Sequence, residues 1–306
     1  MTQEENCEAG FCGIGTWAGT AEVYDGAGAF LGNGSDQRFA RNVEQDGRVR
    51  IDLAFIGPLK FAGHYFIKPE GSHRTYQGPA NTGFAEAVGD DAVDGNGYWP
   101  VTGLSHRLFL AMLPNSATQL HLSMMFRGEQ LIYTIVSESQ RVPEDGQARV
   151  PGLVSGTSFD LGSDPRAGRP ELLLHRPGTW SGTLQTFDAN LNTVEPREYQ
   201  ETIGLDGEQV QADILGSLAG SDHQQLRLRT NGWQAWSEMG RVVGSYNLSG
   251  GRALAGTFHH LDSGLRVWRR EVSTNDGQSK AVLHTWYRGG QRVGAQQGVV
   301  HFTPTA

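Results

Sequence analysis

The chain repeats itself. Gly15-Thr16-Trp17-Ala18-Gly19-Thr20 returns as Gly178-Thr179-Trp180-Ser181-Gly182-Thr183, and Phe126-Arg127-Gly128-Glu129-Gln130 returns as Tyr287-Arg288-Gly289-Gly290-Gln291. The first echo lies 163 residues on and the second 161. Two echoes at nearly one spacing predict a duplicated unit of about 160 residues, the size of one ordinary domain. The 306-residue chain is therefore expected to be one small fold built twice.

That fold reads as all-β. Clean helical spacing is absent over any long run, whereas two-residue alternation is frequent. Arg48-Val49-Arg50-Ile51-Asp52-Leu53-Ala54-Phe55 alternates, as do Gln119 to Met124, Leu226 to Arg229 and Leu265 to Arg269. Asp25-Gly26, Asp46-Gly47, Asp206-Gly207, Asp276-Gly277 and Gly289-Gly290 supply tight turns between such runs. The 42 glycines suit many turns and barrel corners. The expected architecture is two tandem antiparallel β-barrels. Residues 1–141 would form the first, 142–176 a Pro/Gly-rich linker anchored through Leu172-Leu173-Leu174, and 177–306 the second. Residues 68–99, rich in Gly, Asn and Asp, are expected to be an irregular lid over the first barrel.

Composition excludes several classes. A net charge of −8 without basic clusters argues against nucleic acid. No stretch approaches the roughly 20 apolar residues of a membrane helix. The acidic N-terminus carries no secretory pattern, so a cytoplasmic location is expected. Cys7 and Cys12 do not have zinc spacing and are expected to be free thiols. The sequence lacks a Gly-x-Ser-x-Gly elbow, a phosphate loop and a dinucleotide fingerprint. His259-His260 invites a metal reading, but neighbours on a strand face opposite ways. No metal is expected.

Gly-x-Trp-x-Gly on the first strand, followed by Tyr24-Asp25 or Phe187-Asp188, resembles the calycin superfamily of lipocalins and relatives. It is similar to bacterial lipocalin-like domains, which include nitrobindin-type haem domains and S-type bilin lyases. The resemblance implies a tryptophan packed at the closed end of each barrel against a late-strand arginine, with Arg127 expected beside Trp17 and Arg288 beside Trp180. His301 lies where the haem domains place their ligand, but the surrounding motif is not evident. Haem is disfavoured, and no cofactor is expected.

If Arg127 and Arg288 point inward at the tryptophans, strand alternation places His121, Ser123 and Met125 on one inner face and His284 and Trp286 on the matching face of the second barrel, whereas a register slip of one residue would turn both histidines outward. A histidine in an apolar cavity needs a partner or a task. Tyr98, Trp99, His106 and Arg107 form the densest polar-aromatic patch, joined by His64 and Tyr65 at the edge of the expected lid. Tyr133, Trp236 and Glu238 complete the candidates. His106, His121, Tyr98 and His64 are the expected catalytic groups and the others binding groups. The expected function is a cofactor-independent isomerase, cyclase, hydratase or lyase that moves protons on an apolar or aromatic small molecule. A lipocalin-like carrier of such a molecule is the alternative. Homodimerisation through an exposed barrel face is a further expectation.

Overall fold

The computed structural model describes residues 13–43, 47–143, 173–207, 209–218, 223–237 and 240–305. All regular structure within them is β-strand. The first barrel comprises β1 (Gly15–Asp25), β2 (Phe30–Val43), β3 (Arg48–Ile56), β4 (Lys60–Glu70), β5 (His73–Gln77), β6 (Thr82–Val88), β7 (Ala92–Trp99), β8 (Leu104–Met112), β9 (Thr118–Arg127) and β10 (Gln130–Val142). The second comprises β11 (Gly178–Phe187), β12 (Thr193–Asp206), β13 (Gln209–Leu215), β14 (His223–Thr230), β15 (Gln234–Ser237), β16 (Val242–Ser249), β17 (Ala253–His260), β18 (Leu265–Ser273), β19 (Ser279–Arg288) and β20 (Gln291–Pro304). Each strand pairs with the next, and the last pairs with the first, so both sheets close. Closure leaves no unpaired edge. The chain divides into two compact units, residues 1–164 and 165–306.

The repeated motif builds the same corner twice. Trp17 and Trp180 are almost fully buried. Two residues on, Gly19 faces the same way as Trp17, and a Cβ there would lie 2.1 Å from the Glu138 carbonyl oxygen. Only glycine lets β10 cross β1 so closely. Asp25 and Asp188 then close the first hairpin of each barrel. The Asp25 carboxylate accepts from the amides of Ala27 and Ala29 at 2.9 and 2.8 Å, and Asp188 accepts from those of Asn190 and Asn192 at 2.8 and 2.9 Å. A left-handed residue completes each turn: Gly28 at φ 82° in one copy, and Leu191 at φ 65° in the other.

Two expectations need correction. The segment 68–99 is not a lid but the end of β4 together with β5, β6 and β7, all in the barrel wall. Its inward positions include Ala85, Gly95 and Gly97, too small to produce a visible hydrophobic alternation. Second, Arg127 and Arg288 are exposed. β9 starts beside the Trp17 corner and runs away from it, so its last residue reaches the opposite rim. The cation over Trp17 is Arg141, its register partner on β10, with the guanidinium carbon 4.6 Å from the indole centroid. Arg141 also donates to the Ile14 carbonyl at 2.6 Å. In the second barrel the Phe302 ring lies tilted at 58° against Trp180, 4.9 Å between centroids, and Lys280 Nζ lies 4.9 Å from the same indole.

Leu173 and Leu174 are buried in the core of the second barrel, and the Leu173 amide donates to the Gly251 carbonyl at 3.1 Å. Leu172, Cys7, Cys12 and Glu238 lie outside the described residues.

Candidate functional site

The two barrels fill their interiors differently, and cross-strand register identifies the positions responsible. In the second barrel, inward positions on β12, β18 and β19 carry Glu201, Arg269, Glu271, Lys280 and His284, all buried. Lys280 Nζ donates to Glu201 and Glu271 at 2.5 Å each. Arg269 bridges the same two carboxylates at 2.8 and 2.5 Å, and His284 Nε2 lies 3.0 Å from Glu271. Burial alone would raise both glutamates, but Arg269 and Lys280 outweigh it, holding Glu201 below and Glu271 well below the usual range. Every charge in this cluster has an opposite partner, the condition under which buried ions are tolerated.

The first barrel lacks that cluster. Arg269 pairs with His284 as Leu108 pairs with Ser123, and Glu271 pairs with Val282 as Leu110 pairs with His121. Leucines thus stand where the second copy has an arginine and a glutamate. Lys280 is matched by Gln119, since each lies four residues before its strand's Ser123 or His284. The result is a cavity of about 120 Å³.

Its wall is aromatic on one side. Phe55 and Phe61 stack at 5.4 Å, Phe61 meets Trp99 at 5.0 Å, Trp99 meets His106 at 5.3 Å, and Tyr65 lies against Tyr76 at 5.5 Å. The other side is a polar relay on β2, β9 and β10. His121 Nδ1 lies 3.1 Å from Ser137 Oγ, and Ser137 donates to Asp36 Oδ2 at 3.4 Å. Asp36 in turn lies 3.5 Å from Arg38 Nη2, which donates to Ser139 Oγ at 3.2 Å. Because the Ser137 proton is committed to Asp36, the serine accepts from His121 Nδ1–H. The imidazole lone pair is then on Nε2.

Burial governs the electrostatics of this wall and disfavours the charged form of each imidazole. Burial, reinforced by Arg38 and only partly opposed by Asp36, lowers His121 from 6.5 to about 3. Burial lowers His106 from 6.5 to about 4. Both imidazoles are neutral at pH 7. Burial raises Tyr65 from 10.0 to about 12, against the pull of Arg38, so its hydroxyl stays protonated. The cavity therefore offers neutral imidazoles beside a neutral phenol, with two arginines, Arg38 and Arg74, in its lining.

Of the sequence candidates, His106, His121, Trp99, Met125 and Tyr65 line the cavity. Tyr133 packs against the core of the same barrel without lining the cavity. Tyr98 and Arg107 do not join the site. They alternate outward from Trp99 and His106, are exposed, and Arg107 lies over Phe126 at 5.1 Å. His64 is on the outer face against Phe66, because Tyr65 takes the inward position. His284 belongs to the ionic cluster of the second barrel, and Trp286 is buried there against His260 at 5.4 Å. Trp236 follows the fully buried Ala235 and points the other way. His301 is exposed on β20 beside Ser279, not inside the barrel.

Sequence reading missed Asp36, Arg38, Ser137 and Asn81. β2 carries polar residues on both faces (Ser35-Asp36-Gln37-Arg38), so alternation could not say which side was inward. Asn81 lies in the β5–β6 connection, yet it is almost wholly buried.

Neither a protein-family model nor a curated protein matches the chain. Among solved structures, a protein of unknown function of the DUF3598 family from Nostoc punctiforme aligns at TM-score 0.63 and 13% identity, covering 99% of this chain and 100% of that one. An S-type phycobiliprotein lyase from Guillardia theta aligns at TM-score 0.34 and 12% identity, covering 47% of this chain and 94% of that one. At 13% identity the likeness to the first of these is one of fold. That shared fold is two tandem closed ten-strand antiparallel barrels.

Proposed function

We propose that this protein is a cofactor-independent enzyme that uses its first barrel to move a proton on a small ring-bearing molecule. The observation that carries the reading is the His121–Ser137–Asp36 relay inside an aromatic cavity. His121 Nε2 acts as general base toward a carbon next to a ring carbonyl. The C–H pair moves into the ring and the carbonyl becomes an enolate, whose oxygen is held by the Tyr65 hydroxyl and faces Arg38. Return of the proton at the same carbon gives exchange, and return at a conjugated carbon gives isomerisation. Asp36, through Ser137, favours the imidazolium that forms transiently. General-base catalysis of this kind contributes about 10²–10⁴-fold. The dry wall strengthens each charge interaction.

Size narrows the substrate. Drug-sized ligands occupy pockets of roughly 300–1,000 Å³, whereas an apolar cavity of about 150 Å³ takes up benzene. The 120 Å³ here suits a single ring. The test is exchange of the α-protons of cyclohexanone in D₂O, followed by proton NMR. Wild-type protein is expected to accelerate exchange, and His121→Gln to lose that acceleration by roughly 10²–10⁴-fold. No acceleration by the wild type would contradict the catalytic reading.

The carrier reading keeps one specific support: much of the wall is apolar or aromatic. It is favoured if native mass spectrometry of freshly expressed protein reveals a retained single-ring compound while wild-type exchange stays at the solvent rate. Cytoplasmic location and self-association belong to the same proposal and rest on composition and exposed barrel surface alone.

A further inference from the structure

Three buried polar atoms of residues lining the cavity have no side-chain hydrogen-bond partner among the described residues: Asn81 Oδ1, Trp99 Nε1 and His106 Nδ1, the His106 ring being met by the Gly97 backbone. Asn81 and His106 are only 1% and 3% exposed. All three residues line the cavity. Native folds rarely leave such groups unsatisfied, because each forfeits its hydration without return. The three also lie close together. A Cβ on Gly97 would be 2.6 Å from Asn81 Oδ1, 2.8 Å from His106 Nδ1 and 2.6 Å from His106 Cε1. The Trp99 and His106 rings are 5.3 Å apart between centroids. Gly97, in the strand wall, provides the room in which the amide and the imidazole converge. The set combines a fixed donor, the indole N–H, with two acceptors.

A hydroxyl group complements that set: its oxygen accepts from Trp99, and its proton goes to Asn81 or His106. The surrounding surface is Phe61, Trp99 and Tyr65, which suits the face of a ring. We infer that this end of the cavity is a subsite for the hydroxyl of a phenol-like single ring, held by Asn81, Trp99 and His106. This names the substrate class of the site proposed above and rests on that reading only for its location. His106 is then a binding group, and His121 the base at the other side.

The test compares phenol with toluene, which has similar size and no hydroxyl, by isothermal titration of the full chain. Wild-type protein is expected to bind phenol at least tenfold more tightly than toluene, and Asn81→Leu to reduce the preference to threefold or less. If Asn81→Leu does not fold, Gly97→Ala, which occupies the space between the amide and the imidazole, takes its place with the same expectation. Equal binding of the two compounds by the wild type overturns the inference, as does binding of neither, which would assign the polar atoms to water. An undiminished phenol preference in the folded variant also overturns it. A phenol preference without cyclohexanone exchange supports this subsite and removes the catalytic reading alone.

Discussion

Arg38 and Glu201 hold the same position in the two barrels: each is the cross-strand partner of its barrel's motif tryptophan, Trp17 and Trp180. One copy places a cation there and the other an anion. In the second barrel the anion is locked between Arg269 and Lys280. In the first, Arg38 meets one carboxylate at 3.5 Å and a serine at 3.2 Å, beside open space. The duplicated fold thus carries one interior committed to ion pairs and one that encloses a cavity.

The ionic cluster is expected to dominate the stability of the second barrel. Lys280→Met removes a cation that meets two buried carboxylates, leaving Arg269 as the cation they share and His284 still beside Glu271. Stranding a buried charge costs about 3–5 kcal/mol. Thermal unfolding of the full chain, with hydrogen exchange on β19 amides, should show the loss there. Arg38→Met in the first barrel strands a single buried carboxylate, Asp36, and should cost less, about 1–3 kcal/mol.

Acid should destabilise both barrels. His106 and His121 are lowered to about 4 and about 3, and His284 to about 4, each from 6.5. Below pH 6.5 the unfolded chain takes up protons that the folded chain refuses, so stability falls with pH until the folded values are reached. Each shifted unit is worth about 1.4 kcal/mol, giving a loss of about 2 kcal/mol per histidine between pH 7 and pH 5. Glu201 and Glu271, held below their usual values, act in the same sense at lower pH. Denaturant unfolding across pH 5–7 measures this. His121→Gln should flatten the slope for the first barrel.

Packing at the Trp17 corner separates two arginines. Arg141→Ala loses the contact over Trp17 and the bonds to the Ile14 and Ser116 carbonyls. A loss of about 1–3 kcal/mol is expected from the stacking and hydrogen-bond terms together. Arg127→Ala, at an exposed position, should stay within about 0.5 kcal/mol of wild type. Urea midpoints of the two variants decide between them.

These contrasts show what the sequence could carry. The repeat and the two-residue alternation made two β-barrels legible, because closing a sheet leaves a regular inward pattern. Trp17 and Trp180 were legible as corners, yet their partners were not: an arginine that repeats with the tryptophan lies at the far rim, and pairing register selects Arg141 instead. Strands β5–β7 stayed hidden because inward glycines and alanines erase the alternation. His121 was placed on the inner face by parity counted from Arg127, although Arg127 itself lies at the rim, and His106 was legible only as part of a polar-aromatic patch. Asp36 and Asn81 were not legible, since one sits on a strand polar on both faces and the other in a turn.

The account centres on His121 as a neutral base whose lone pair is on Nε2. Long-range ¹H–¹⁵N correlation spectra of the histidine rings, assigned with His121→Gln, test this directly. At pH 7 the His121 resonances should show a neutral ring protonated at Nδ1, unchanged down to pH 5, and should move on addition of phenol while those of His284 do not. A His121 that titrates near 6.5, or that carries its proton on Nε2, would contradict the account.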